Sequence, residues 1–259
     1  MASFDNLQLD QPRDGVYCLT IARPKVLNAL NPQTLEELAG ALDVVESDSA
    51  ARVLLITGAG EKAFVAGADI SRMRHMDGLA AKAFAMRAMS IFRRLELMDI
   101  PVIALVNGFA LGGGCELMMS CDFALASDNA KLGQPEVALG VTAGFGGTQR
   151  LTRIVGKPMA LEMLVTGRML DAAEAQQRGL VNHVYPRADL MQRGLDLADK
   201  IIANGPVAVN FSKELVQRGQ DMDLENACAM ESDLFGLCFS TDQQSEGMQA
   251  FLDKRKAVF

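Results

Sequence analysis

Two uncharged apolar runs, Val53-Leu-Leu-Ile-Thr57 and Val102-Ile-Ala-Leu-Val106, each close on glycine and are separated by a long helix-like stretch, Leu79 to Leu97. A strand with one wet face alternates apolar and polar residues; a short continuous apolar run marks a strand covered on both faces. Such strands need helices on either side, which restricts the chain to the α/β class with a largely parallel sheet. Further strands are predicted at Val16 to Ile21, Phe123 to Ala126 and Val181 to Tyr185. Asn31-Pro32 opens a helix with Leu35, Leu38, Leu42 and Val45 on one face, Asn31 capping and Pro32 in the first position. Helices are also predicted at Pro158 to Thr166 and Ala172 to Gln177. From Leu190 the strand signal stops, and 190–203, 207–217, 224–239 and 245–256 all read as helices. With no tandem repeat or Pro/Gly/Ser linker, the change near residue 195 divides a core, 1–195, from a helical region, 196–259, packed against it.

Composition removes several function classes. With 25 Lys and Arg against 32 Asp and Glu, the net charge of −7 leaves no cationic surplus for a nucleic-acid backbone. The longest uncharged apolar stretch, Ile100 to Cys115, is broken by Pro101, Asn107 and four glycines and is too short for a span of ~20 residues. Residues 1 to 10 lack the cationic start and apolar block of a signal peptide, so the expected location is the cytoplasm, or the mitochondrial matrix if a transit peptide has been removed. Five cysteines, Cys18, Cys115, Cys121, Cys228 and Cys238, are odd in number and show no C-x-x-C spacing; buried thiols in a reducing compartment are expected rather than disulfides or zinc ligands. His75 and His183 lie far apart and read as surface or structural residues. Met73, Met76, Met86 and Met89 suit core filling better than an apolar tunnel. Gly58-Ala-Gly60-Glu-Lys-Ala63 imitates a dinucleotide-binding turn, but no amphipathic helix opens after it, so it reads as a tight turn.

The chemistry concentrates in Asn107-Gly-Phe-Ala-Leu-Gly112-Gly113-Gly114-Cys-Glu116-Leu117. Three glycines after a buried strand let the backbone approach another group closely. A helix starting near Gly114 turns unpaired N–H groups and the positive end of its dipole outward, a donor site for an anion or oxyanion. Glu116 falls in the first turn, where a carboxylate is equally explained by the dipole alone. Twenty residues on, Gly133-Gln-Pro-Glu136-Val-Ala-Leu-Gly140 offers a second acid beside apolar neighbours that would raise its pKa, and Gly144-Phe-Gly146-Gly147-Thr-Gln-Arg150 follows. Two acids and backbone donors suit ionisation of a water while a carbonyl oxygen takes up charge.

These blocks, with Ala66-Gly-Ala-Asp69-Ile70, Gly146-Gly-Thr-Gln-Arg-Leu151, Arg23-Pro-Lys-Val-Leu-Asn-Ala-Leu30 and Gly247 to Lys256, resemble the enoyl-CoA hydratase (crotonase) family from end to end. The resemblance implies a crotonase-like (ClpP/crotonase) spiral of β-β-α units, a C-terminal helical region forming trimers or hexamers of two trimers, and an acyl-CoA thioester substrate. Position by position, it makes Glu116 and Glu136 the catalytic acids, the N–H groups of Ala68 and Gly113 the oxyanion hole, and Gly144 a backbone neighbour of the water. Lys25, Leu27, Ala66, Asp69 and Ile70 match positions around the CoA, while Phe251 and Lys254 match residues that reach a neighbouring subunit's ligand. Ala143 stands where relatives often carry proline. The expected reaction is reversible syn hydration of a short trans-2-enoyl-CoA to a 3-hydroxyacyl-CoA, with no metal and no cofactor beyond the CoA of the substrate. Isomerases of the family commonly lack the first acid; an isomerase or another acyl-CoA enzyme of the family is the alternative, and a non-catalytic or RNA-binding scaffold the remaining one, the latter disfavoured by the acidic charge.

Overall fold

The computed structural model describes residues 4–259. Among these residues, ten strands and eleven α-helices follow one another in a repeating order. The antiparallel pair β1 (Leu7–Arg13) and β2 (Val16–Ile21) leads to α1 (Pro32–Ser47), whose Asn31 side chain accepts from the Thr34 N–H as the sequence anticipates. Then come β3 (Val53–Gly58), β4 (Ala63–Ala66), the single turn α2 (Ile70–Met73) and the long α3 (Gly78–Leu97). The same strand-strand-helix order repeats as β5 (Val102–Val106), β6 (Phe109–Leu111) and α4 (Gly113–Met119), and again as β7 (Phe123–Ser127), β8 (Lys131–Gly133) and α5 (Gly147–Val155). The core ends with α6 (Lys157–Thr166), β9 (Met169–Asp171), α7 (Ala172–Gln177), β10 (His183–Tyr185) and α8 (Leu190–Ile202).

Each repeat gives one strand to each of two sheets. The large sheet runs β1-β2-β3-β5-β7-β10 and the small one β4-β6-β8-β9. Val16 pairs with Val53, Leu54 with Val102 and Ile103 with Phe123 in parallel register. This is the β-β-α spiral. It explains why the central runs are unbroken: Leu54, Ile56 and Ala104 face the main core with Leu38, Leu42 and Phe92, while Leu55, Ile103 and Leu105 face a second apolar layer under α8. Every residue of β3 and β5 is buried.

Two sequence boundaries change. Position 195 falls inside α8, whose Leu190 and Ala198 pack on the large sheet, so the change of architecture comes after it. The remaining helices, α9 (Pro206–Gly219), α10 (Leu224–Cys238) and α11 (Asp242–Leu252), match the predicted ones, except that α11 starts at its Thr241 cap and stops before Lys254, which turns left-handed at φ 55°. The cysteines are free, but only Cys18 and Cys115 are buried; Cys228 is exposed, against the expectation. Both histidines are exposed. Gly58 to Ala63 is a tight turn with no helix after it, and no described helix is long and apolar enough to cross a membrane.

Candidate active site

The three consecutive glycines do three different things at the start of α4. Gly112, at φ 50°, makes the left-handed turn that caps the helix, and its N–H donates to the Gly133 carbonyl (2.9 Å). A Cβ on Gly113 would lie 3.0 Å from the Phe145 ring and 3.7 Å from the Ala68 nitrogen. A Cβ on Gly114 would lie 1.9 Å from the Val65 carbonyl, so the helix start is pressed directly onto β4. The sequence thus brings Gly113 and Ala68 face to face.

Their N–H groups are available to a ligand. Gly113 is the first residue of α4, where an N–H has no acceptor within the helix. At Ala68 the chain bridges to Leu30: Leu30 N–H donates to Gly67 O (2.9 Å) and Asp69 N–H to Leu30 O (2.7 Å). The intervening Ala68 N–H therefore faces away from Leu30. Ala68 and Gly113 together border a cavity of about 550 Å³ whose wall includes Glu116, Glu136 and Gly144.

Glu116 is 1% exposed. Its Oε1 accepts two backbone hydrogen bonds, from Phe145 N–H and Gly147 N–H, both 2.7 Å. One oxygen is thereby fixed and the other left for chemistry. Burial is the largest influence on this carboxyl and, reinforced by the negative charge of Glu136, pushes its pKa up to about 7 against the two N–H bonds. Glu136 opens a short helical turn, Glu136–Leu139, and burial raises its pKa as well. Buried Gln134 brings its amide to 2.8 and 3.1 Å from its two oxygens, and the amide satisfies both as a donor once it is turned so that its nitrogen faces Glu136. The two acids thus share one cavity, each shifted toward the protonated form, with Ala68 and Gly113 in the same lining.

The structure gathers Ala66, Ala68, Ile70, Gly113, Glu116, Glu136 and Gly144 around this cavity. Lys25 and Leu27 stay outside its lining, on an exposed turn joined to β4 by the Ala66 N–H to Leu27 O bond (3.0 Å). The Asp69 carboxylate is engaged elsewhere: Ser71 Oγ donates to it (2.6 Å), Arg23 pairs with it (3.1 Å), and both hold its pKa low. Phe251, 83% exposed, and Lys254 lie on and just after α11, also away from the lining. Met73 and Met76 line the cavity and, partly buried, pack against the main core, whereas Met86 and Met89 are exposed, so the core-filling expectation fails for those two. Sequence reading did not single out Gln134, Phe145 or Gly147 as partners of the acids; the second glycine cluster was the signal for the loop but not for its target.

The Enoyl-CoA hydratase/isomerase family profile matches residues 11–259, and the chain belongs to that family. It is 52% identical to the short-chain-enoyl-CoA hydratase of Clostridium acetobutylicum over 241 residues, covering 93% of this chain and 92% of that one. Against the crotonyl-CoA hydratase of Syntrophomonas wolfei it is 48% identical over 257 residues, 99% and 98% of the two chains. Among solved structures, the enoyl-CoA hydratase from Bacillus anthracis superposes with a TM-score of 0.96 at 37% identity, over 98% of this chain and 99% of that one.

Proposed function

We propose that this protein is a short-chain enoyl-CoA hydratase that adds water reversibly and in syn fashion across the double bond of a trans-2-enoyl-CoA such as crotonyl-CoA. The observation that carries the reading is the pair of buried carboxyls, Glu116 and Glu136, on one cavity faced by the N–H groups of Ala68 and Gly113. The thioester oxygen sits between those two N–H groups, and each donor aimed at developing charge is worth ~10²–10³ in rate. Ionised Glu116, anchored through Oε1, takes a proton from the water through its other oxygen as the hydroxyl bonds to C3. The electron pair moves from the double bond toward the thioester oxygen. Protonated Glu136 then delivers a proton to C2, and the proton taken up by Glu116 passes back to Glu136, restoring the starting pair. A base and an acid must coexist near neutral pH, which two neighbouring carboxyls with raised pKa values can supply. Gly144 borders the water; no metal or redox group has a role in this scheme.

Ala66 and Ile70 line the way to the acids, with Lys25, Leu27 and the Arg23-held Asp69 shaping the CoA entrance. A groove of about 810 Å³ between α9, α10 and α11, bordered by Phe211, Phe235 and Phe239, and the exposed Phe251 fit a homotrimer or dimer of trimers in which Phe251 and Lys254 reach the next subunit's CoA. Free thiols and short-chain acyl chemistry fit the cytoplasm. The relatives at 52% and 48% identity, named for short-chain-enoyl-CoA and crotonyl-CoA, support the short acyl chain. The test is steady-state turnover over 2-enoyl-CoAs of increasing length, with 3-enoyl-CoA as control. Hydration with an optimum at four carbons is expected; isomerisation of the 3-enoyl substrate without hydration would replace this reading with the isomerase one.

A further inference from the structure

We infer that Arg150, clamped by Glu96, is a positioning residue for Glu116: it holds the 144–147 loop so that two backbone N–H groups converge on one carboxylate oxygen. The inference rests on the hydratase reading for its assay but not for its geometry. Arg150, on α5, directs Nε to Glu96 Oε1 on α3, and Glu96 Oε2 is held in turn by Arg93 (2.7 Å). Glu96 and Arg150 side chains are only 11% and 16% exposed, so this pair is sheltered from salt and from competing water. From that anchored guanidinium, Nη1 donates to the Phe145 carbonyl (2.8 Å).

The next link is covalent. The same residue, Phe145, offers its N–H to Glu116 Oε1, and Gly147 offers the second. Gly146 between them sits at φ 103°, and a Cβ there would lie 2.1 Å from Arg150 Nη1, so the loop is shaped around the guanidinium. The Phe145 ring is fixed edge-on by Phe84 and Phe92, both from α3. An arginine is required because a lysine cannot bond a carboxylate and a carbonyl in fixed planar directions at once.

Arg150 also acts through space. The charged or titratable groups facing Glu116 are Glu136 from the 136–139 turn, Arg150 from α5 and the Cys115 thiol on its own helix, which burial keeps protonated. Arg150 supplies the one positive charge among them and favours ionised Glu116. Its loss must therefore raise the Glu116 pKa, while loss of the Glu96 charge behind it must not.

The experiment compares Arg150→Met, Arg150→Lys and Glu96→Gln with the wild type, using crotonyl-CoA over pH 5 to 9. Arg150→Met is expected to lower kcat at least about tenfold with KM changed less than about threefold, since misplacing a catalytic group mainly costs turnover. Its acidic limb should move up by about half a pH unit or more. Arg150→Lys should return the limb toward the wild-type position without restoring kcat, and Glu96→Gln should leave the limb in place or move it down. A folded Arg150→Met or Arg150→Lys with wild-type kcat and limb would overturn the inference, as would a limb that moves up equally in Glu96→Gln. If Arg150→Met does not fold, the lysine and glutamine variants decide it. Should the wild type fail to hydrate crotonyl-CoA, the functional reading falls alone; ¹³C titration of the Glu116 carboxyl in the same variants then tests the positioning, and an unmoved midpoint in Arg150→Met overturns it.

Discussion

Replacing Glu116 by glutamine should stabilise the folded chain at alkaline pH while destroying its chemistry. The carboxyl titrates near 7 in the fold rather than at 4.5, which at about 1.4 kcal/mol per pH unit puts ionised Glu116 at a cost of about 3 kcal/mol. The sign follows from proton binding. Between 4.5 and 7 the folded chain holds a proton that the unfolded chain has released, so this group makes stability fall as pH rises through that window; below it the cost is absent, above it complete. Glutamine keeps the shape, and its carbonyl oxygen still accepts from Phe145 and Gly147, but it never ionises. From pH 5.5 to 8 the stability of Glu116→Gln should therefore rise relative to wild type by about 2 kcal/mol. Guanidinium denaturation of both proteins at the same subunit concentration measures the difference. A gap of the same size at both pH values would refute the reasoning, because it would mean that Glu116 titrates alike in the folded and unfolded chains.

Two further perturbations probe the frame around the site. Gly113→Ala places a methyl 3.0 Å from the Phe145 ring and in front of the Ala68 N–H, so kcat for crotonyl-CoA should fall by about 10²-fold or more with the fold retained; near-wild-type turnover would remove these amides from the oxyanion hole. Lys213→Met should destabilise by about 3–5 kcal/mol, measured by denaturant unfolding, because it strips Asp122 of its buried partner (2.8 Å) and empties the bonds from Nζ to the Leu95 and Ile100 carbonyls.

The middle of the large sheet was readable because β2, β3, β5 and β7 are five or six residues long and largely buried: β3 and β5 announce themselves as unbroken apolar runs. The small sheet was not readable. Its strands β6, β8 and β9 are three residues each, too short for any period to emerge, and their pairing is decided by the spiral rather than by composition. The site divides along the same line. Glu116 and the glycines before it stand out, since a triple glycine at a helix start has no ordinary packing use, and each glycine does prove to meet a different neighbour. Arg150 and Glu96 lie 54 positions apart and look in sequence like ordinary surface charges; only the packing of α3 on the loop before α5 joins them. Likewise Asp69 matches a ligand-facing position in the resemblance, yet its carboxylate is committed to Arg23 and Ser71, a contact 46 residues distant that no local pattern encodes.

The most direct measurement is kcat for crotonyl-CoA hydration in Glu116→Gln, Glu136→Gln and the double variant. If the two carboxyls work as a unit on one water, each single change should lower kcat by at least ~10²-fold and the double variant should fall little below the worse single one. Unchanged turnover in either single variant, or losses that simply multiply in the double variant, would contradict it.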